Sequence, residues 1–314
     1  ALMAVVRRPV VSIRRHRYVD LSIADMVSLG TMDDHLASFL SAAVRARKNI
    51  VIGGAMNSGK TTLIRALASV VPPRERIVTI EQAFELGLDE MPDRHPDIVA
   101  LEARPANQEG EGEVSMARLV RRALRMDADR VIVGEVMGDE VLPMLNAMSQ
   151  GRSGSMCTIH ADSSAGIFQR LATYAIQAPE RLPVESTNML IAGAVHFVVF
   201  IEAREGSGAG DEGLDGTSTN HPMHNLLNWA SEEVPQDPES SRPRFLAIRR
   251  ERYISSVREV VDADGLQVVS NEVFEPGPEH GAVPAAPLRS STLDELVAHG
   301  YEPAMAESRV SIWR

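Results

Sequence analysis

The chain has 314 residues, enough for two domains or for one large domain with appendages. Hydrophobic residues make up 44% and charged residues 24%, the balance of an ordinary globular protein. The net charge of -11 argues against a dedicated nucleic-acid binder, because no overall positive field draws phosphates in, although a local basic groove is left open. No run approaches the roughly 18 consecutive apolar residues of a membrane span, and no signal peptide is recognisable. The single cysteine, Cys157, cannot close an internal disulfide, which fits a reducing cytoplasm. It lies in the apolar run Ser155-Met-Cys-Thr-Ile and is expected in the core.

In chain order, a strand is predicted over 10–13 and a short helix over 21–29, and residues 1–30 read as the remnant of a small N-terminal domain. A helix over 32–47 carries Leu36, Phe39, Leu40 and Val44 at helical spacing, with Thr31 or Asp33 as its cap. Strands and helices then alternate: strand 49–52, a glycine-bearing loop, helix 60–71, strands 76–80 and 97–101, helix 115–126, strand 130–133, helix 139–149, strand 155–159, helices 164–177 and 184–194, and strand 195–201. Short apolar strands alternating with helices imply an α/β core over 31–202, with a mostly parallel sheet covered on both faces. Over 203–243 the glycines Gly206, Gly208, Gly210, Gly213 and Gly216 sit among Ser, Asp and Glu, which predicts a flexible acidic loop. Residues 244–314 hold two strand-like runs, 253–261 and 266–274, joined by Asp264-Gly265. That is a hairpin signal. A proline-rich tail with a short helix over 292–299 follows, and no internal repeat is found.

Gly54-Ala-Met-Asn-Ser-Gly59-Lys60-Thr61 satisfies G-x-x-x-x-G-K-[ST], with a strand before it and a helix after it. Such a loop wraps phosphates by turning backbone N–H groups inward, and its glycines permit the dihedrals. The following helix adds unpaired N–H groups and the positive end of its dipole. Gly54, Asn57, Ser58, Gly59, Lys60, Thr61 and Thr62 form the expected nucleotide cradle. Lys60 reaches the outer phosphates and the Thr61 hydroxyl ligates Mg²⁺, so ATP and Mg²⁺ are the expected ligands.

Phosphoryl transfer also needs a positioned water and charge neutralisation, and in an open α/β sheet these groups belong at the carboxyl ends of strands. Glu81, Glu135 and His160 each appear where an apolar strand stops. Glu81 is assigned as the acid that orients the attacking water, Glu135 as a holder of the Mg²⁺ shell, and His160 as the reader of the γ-phosphate. The roles of the two glutamates are interchangeable at this level. Asp129 stands at the wrong end of its strand. Two arginine groups, Arg7, Arg8, Arg14, Arg15 and Arg17 before the core and Arg104, Arg121, Arg122 and Arg125 within it, could supply arginine fingers from the same chain or a neighbour.

Taken together, Gly59-Lys-Thr-Thr62, Ile77-Val-Thr-Ile-Glu81, Leu101-Glu-Ala-Arg104-Pro, Leu119-Val-Arg-Arg-Ala-Leu-Arg-Met126, Asp129-Arg-Val-Ile-Val-Gly-Glu135 and Gly154-Ser-Met-Cys-Thr-Ile-His160-Ala resemble the Walker A, Asp-box, arginine-bearing, Walker B and His-box motifs of the type II/type IV secretion ATPase family. The resemblance is closest to the Tad/Flp pilus-assembly branch and covers roughly 5–202. It implies a RecA-like P-loop core and a homo-hexameric ring. In that ring, nucleotide lies between an N-terminal domain and the core, and ATP-driven motion acts on an inner-membrane platform protein. The implied location is cytoplasmic, peripheral at the inner face of the cell membrane. Ser12-Ile-Arg14-Arg15 resembles the N-domain segment that contacts nucleotide, which singles out Arg14; Arg104 is the corresponding choice within the core. The sequence departs from the family at Ala55, Met56 and Asn57 in the loop, at Gln82 after Glu81 and at Met137 after Glu135. By that resemblance these residues are expected to carry only the end of the family's N-terminal domain, and the part after 203 has no evident counterpart. The expected function is an ATP-hydrolysing motor for protein secretion or Tad/Flp pilus assembly. The alternatives are a nucleic-acid-transfer P-loop motor, disfavoured by the acidic charge, and an ATP-binding scaffold with weak hydrolysis.

Overall fold

The computed structural model describes residues 21–151, 153–205, 250–278 and 281–303. Its contacts divide the chain into Ala1–Ala203 with Arg252–Arg314, and Arg204–Glu251. The elements below lie in the first unit, apart from the outer ends of two strands. The predicted strand at 10–13, the arginines before residue 20 and the acidic loop beyond Glu205 lie outside the described residues.

Two short helices come first. In α1 (Ile23–Ser28) the Ser22 hydroxyl accepts from the Asp25 N–H while the Asp25 carboxylate accepts from the Ser22 N–H, a reciprocal capping box. In α2 (Asp34–Arg45) Asp33 caps the first turn by accepting from the Leu36 N–H at 2.7 Å, and Leu36, Phe39, Leu40 and Val44 are buried along one face. There follow β1 (Ile50–Gly54), α3 (Lys60–Ala68), β2 (Ile77–Glu81), a single 3₁₀ turn at Leu88–Glu90, β3 (Ile98–Glu102), α4 (Met116–Ala123) and β4 (Arg130–Val136). Next come α5 (Val141–Ser149), β5 (Met156–His160), α6 (Ser164–Gln177), α7 (Val184–Ala194) and β6 (Phe197–Glu205). The chain resumes with β7 (Arg250–Ala263), β8 (Val268–Pro276), β9 (Ala282–Pro284) and α8 (Ser290–Ala298).

The strands form one sheet in the order β3-β2-β4-β5-β1-β6-β7-β8-β9. Every pairing from β3 to β6 is parallel, while β7–β8 and β8–β9 are antiparallel. Strand alternation feeds two apolar layers. Ile50, Ile52, Ile77, Ile132 and Met156 join the cluster that packs against α1, α2, α3 and α8. Val51, Val78, Ile80, Val131, Val133, Cys157 and Ile159 join the one beneath α4 to α7. This is the RecA-like α/β arrangement, and it sets the carboxyl ends of β1, β5, β4 and β2 along one rim.

The hairpin is present, with Gly265 in the left-handed region (φ 92°) and the Asp264 N–H donating to the Gln267 carbonyl. It continues the core sheet through β6 rather than standing apart. The short strand β9 escaped the sequence reading because its three residues end in proline.

Candidate functional site

The loop after β1 is shaped by backbone rather than by side chains. Gly54 ends β1 opposite His160 in register. A side chain there would place its Cβ 2.4 Å from the Ile201 carbonyl oxygen and 2.5 Å from the Ser58 hydroxyl, so only glycine fits. Asn57 (φ 59°) and Gly59 (φ 104°) both take the left-handed conformation, which curls the loop over the start of α3. Gly59 is the N-cap of α3 and gives it no side-chain cap, leaving the first-turn N–H groups to an anion. The Ser58 hydroxyl is fully buried and has no hydrogen-bond partner among the described residues. A glycine-only cradle, an uncapped helix start and an orphaned hydroxyl fit a bound polyphosphate. Thr61 and Thr62 occupy the first turn of α3 and are part-buried.

Lys60, His160 and Glu135 meet. The Lys60 ammonium donates to the carbonyls of Gly54 (3.1 Å) and Ala55 (2.9 Å) and lies 3.2 Å from His160 Nδ1. An ammonium can only donate, so Nδ1 accepts and the ring proton is on Nε2. Nε2 lies 2.7 Å from Glu135 Oε1. That approach lies off the hydrogen-bond line, and Oε1, buried, is left without an aligned partner among the described residues. The aim of Glu135 comes from a bulge. Between Val133 and Val136, β4 spends one residue more than β5 does between Cys157 and Ile159, and Gly134-Glu135 absorb it. The Thr158 hydroxyl pins the bulge by donating to the Gly134 carbonyl at 2.6 Å. Glu140 then shapes the exit from β4, its carboxylate accepting from the Met137 and Gly138 N–H groups.

Glu81 lies one strand further along, at the end of β2. It is 3% exposed, and its Oε2 accepts from the N–H groups of Glu85 and Leu86, each at 2.8 Å. Burial pushes its carboxyl above the usual range against the lowering effect of those two N–H groups. Its Cγ would stand 3.0 Å from a Cβ on Gly134, so the glycine of β4 makes room for it. With strands about 4.8 Å apart, His160, Glu135 and Glu81 step away from the P-loop strand along a single rim. Among the described residues, no group of three His, Cys, Asp or Glu could by itself hold a metal ion.

The arginines part company. Arg14 lies outside the described residues. Arg104 follows the edge strand β3, where it bridges to Val114 and its Nε donates to the Gly112 carbonyl at 2.8 Å, so it is held in its own loop rather than brought to Lys60. Sequence reasoning missed Arg252. It sits on β7 and donates from Nε to the Asn57 carbonyl at 3.3 Å, directly on the P-loop. The signal available was the arginine-rich start of the hairpin, Arg249-Arg-Glu-Arg252.

The profile of the family described as "Type II/IV secretion system protein" matches residues 2–200. The chain belongs to that family. Similar proteins include one named for conjugal transfer in Mycobacterium tuberculosis, 38% identical over 198 residues, 63% of this chain and 54% of that protein. The type IV secretion system protein PtlH of Bordetella pertussis is 40% identical over 183 residues, 57% of this chain and 51% of PtlH. A crystal structure of the VirB11 ATPase from the Brucella suis type IV secretion system, in complex with sulphate, is 32% identical, covering 60% of this chain and 52% of that one, with a TM-score of 0.48. This family member thus spans about half the length of the curated relatives it matches.

Proposed function

We propose that this chain is an ATP-hydrolysing motor subunit of a secretion machine, with Mg²⁺ as its cofactor. The observation that carries the reading is the contact chain Lys60–His160–Glu135 beside a P-loop whose Ser58 hydroxyl is buried and unpartnered. The backbone of the loop and the first turn of α3 would hold the β- and γ-phosphates, and Lys60 would exchange its His160 contact for a phosphate oxygen. Thr61 and Glu135 are the groups that would hold Mg²⁺, which when bound spreads the charge of the β- and γ-phosphates. His160, between Lys60 and Glu135, would sense the γ-phosphate by losing its ammonium partner. Glu81, held by two backbone N–H groups with its affinity for a proton raised by burial, would orient the attacking water and take up its proton. Its place one strand beyond Glu135 supports this division of roles between the two glutamates.

We assign Arg104, held in an exposed loop at the sheet's edge, as a residue offered to a neighbouring subunit of a homo-hexameric ring. The ring would act on a platform protein at the inner face of the membrane. Among the described residues, no helix is long and apolar enough to cross a membrane. The relatives' names favour type IV secretion or conjugal transfer over Tad/Flp pilus assembly as the machine served.

Phosphate release by the chain, beside Lys60→Ala and Glu135→Gln, tests the reading. Each substitution is expected to lower turnover by roughly a hundredfold or more. Equal rates in all three would refute it, and tight ATP binding with turnover no faster than in Glu135→Gln would mark a scaffold instead.

A further inference from the structure

We propose that Arg252, contributed by the C-terminal hairpin, is a nucleotide-binding residue that contacts the α-phosphate and ribose end of ATP, opposite the Lys60–His160–Glu135 end. The inference rests on the reading of the P-loop as an ATP site and adds a residue to it.

Sheet order supplies the direction. β5 and β4, which carry His160 and Glu135, lie on one side of β1, while β6 and β7 lie on the other. The γ-phosphate end is therefore marked over β5, and the rest of the nucleotide leads across the loop toward β7. Arg252 stands on that flank. Its Cδ is 3.0 Å, and its Nε 3.7 Å, from the point where a Cβ on Gly59 would sit, so the arginine stem lies over the phosphate-binding turn itself. The Nε–H donates to the Asn57 carbonyl. Asn57 is one of the two left-handed residues that shape the loop.

The guanidinium has donors to spare. It carries five N–H groups in a fixed fork and is always charged. Its Nε–H is the one engaged among the described residues, so the two terminal nitrogens present four donors at the mouth of the loop. The side chain is exposed, and no carboxylate among the described residues forms an ion pair with it. A solvated surface arginine would extend into water; this one is anchored by its own Nε to the loop that holds phosphate. Anchoring fixes the fork in place, so less rotamer freedom is lost when an anion binds.

The α-phosphate and ribose are common to ATP and ADP, and this sets the test. Affinities of the 314-residue chain for fluorescent ATP and ADP are measured by titration for the wild type, Arg252→Ala, Arg252→Gln, Arg252→Lys and Lys60→Ala, with thermal melting of each variant as a check on folding. Arg252→Ala and Arg252→Gln are expected to weaken ATP and ADP alike, by about tenfold. Arg252→Lys, which keeps the charge but loses the Nε anchor and the fork, is expected to fall between the wild type and Arg252→Ala. Three outcomes overturn the inference: unchanged affinity in Arg252→Ala; a loss confined to ATP, which would place the arginine at the γ-phosphate; or full affinity in Arg252→Gln with loss in Arg252→Lys, which would make it a buttress for the loop. If Lys60→Ala also binds as the wild type does, the ATP-site reading itself fails. If Lys60→Ala alone loses binding, that reading stands and only the role of Arg252 falls.

Discussion

Replacing Asn49 by alanine is expected to cost about 3 kcal/mol of stability while leaving nucleotide affinity in the folded protein unchanged. Asn49 is fully buried at the head of β1. Its Nδ2 donates to the carbonyls of Met148 (2.9 Å) and Ala194 (2.6 Å), the ends of α5 and α7. Its Oδ1 accepts from the N–H groups of Gly154 (2.8 Å) and Ser155 (3.0 Å), the entry to β5. One amide thus satisfies four backbone groups from three segments. Each orphaned buried group costs about 1–3 kcal/mol, and a water entering the vacated space restores some of them, which leaves roughly 3 kcal/mol of the larger sum. For a domain stable by about 5–15 kcal/mol, that is a large shift. Urea unfolding should show a lower midpoint at an unchanged slope. Asn49→Asp keeps the two accepted bonds but sets a carboxylate oxygen against two carbonyls, so it should cost no less. Gly54 is five residues on, about 17 Å along the strand, so ATP affinity under native conditions should not move. A loss below 1 kcal/mol in Asn49→Ala, or a well-tolerated Asn49→Asp, would refute the reasoning.

Glu81→Gln is expected to separate stability from activity. A carboxyl whose folded pKa is raised binds its proton more tightly in the native state, so its favourable contribution is present at low pH and is lost as pH rises from its ordinary value through the raised one. The glutamine variant should therefore melt higher than wild type at neutral pH, converge with it in acid, and hydrolyse ATP more slowly; a variant that melts lower at neutral pH would contradict this. His196 titrates in the opposite sense. Its Nδ1 accepts from the Asn49 N–H, and burial, with Lys48 and Arg289 nearby and only Glu295 opposing, lowers its pKa from 6.5 to about 4. The unfolded chain takes the proton first, so stability should fall as pH drops from about 6.5 toward 4, and His196→Gln should flatten that slope in pH-dependent melting curves.

Much of this was legible in the sequence because periodicity and strand ends are local signals. Every predicted strand and helix between 32 and 201 has a counterpart, displaced at its ends by up to a few residues, because caps and bends decide those ends. The meeting of Lys60, His160 and Glu135 could be anticipated, since a parallel sheet collects its strand ends on one rim. What could not be read was how each side chain is aimed. The bulge at Gly134-Glu135 depends on how β4 and β5 register against each other, a property of two strands and not of either alone. The long-range contacts of Arg252 and Asn49 are invisible to any window of sequence, because their partners lie between about a hundred and two hundred residues away. Arg104 shows the reverse case: the motif named it, and the fold keeps it on its own loop.

The geometry around Lys60 also says how a nucleotide would be felt beyond the loop. An ammonium has three donors, and the carbonyls of Gly54 and Ala55 with the His160 ring already offer three acceptors. A phosphate oxygen can therefore reach Lys60 only by displacing one of them. The imidazole, at 3.2 Å the longest of the three contacts, is the one least costly to give up. Once released, its ring is free to turn, and Nε2 then no longer needs to face the buried Glu135 Oε1. Under the proposed reading, arrival of the γ-phosphate at β1 is thus transmitted to the carboxylate on β4 through a single ring on β5. The relay needs only three adjacent strand ends and no movement of the sheet, which is rigid because both its faces are packed.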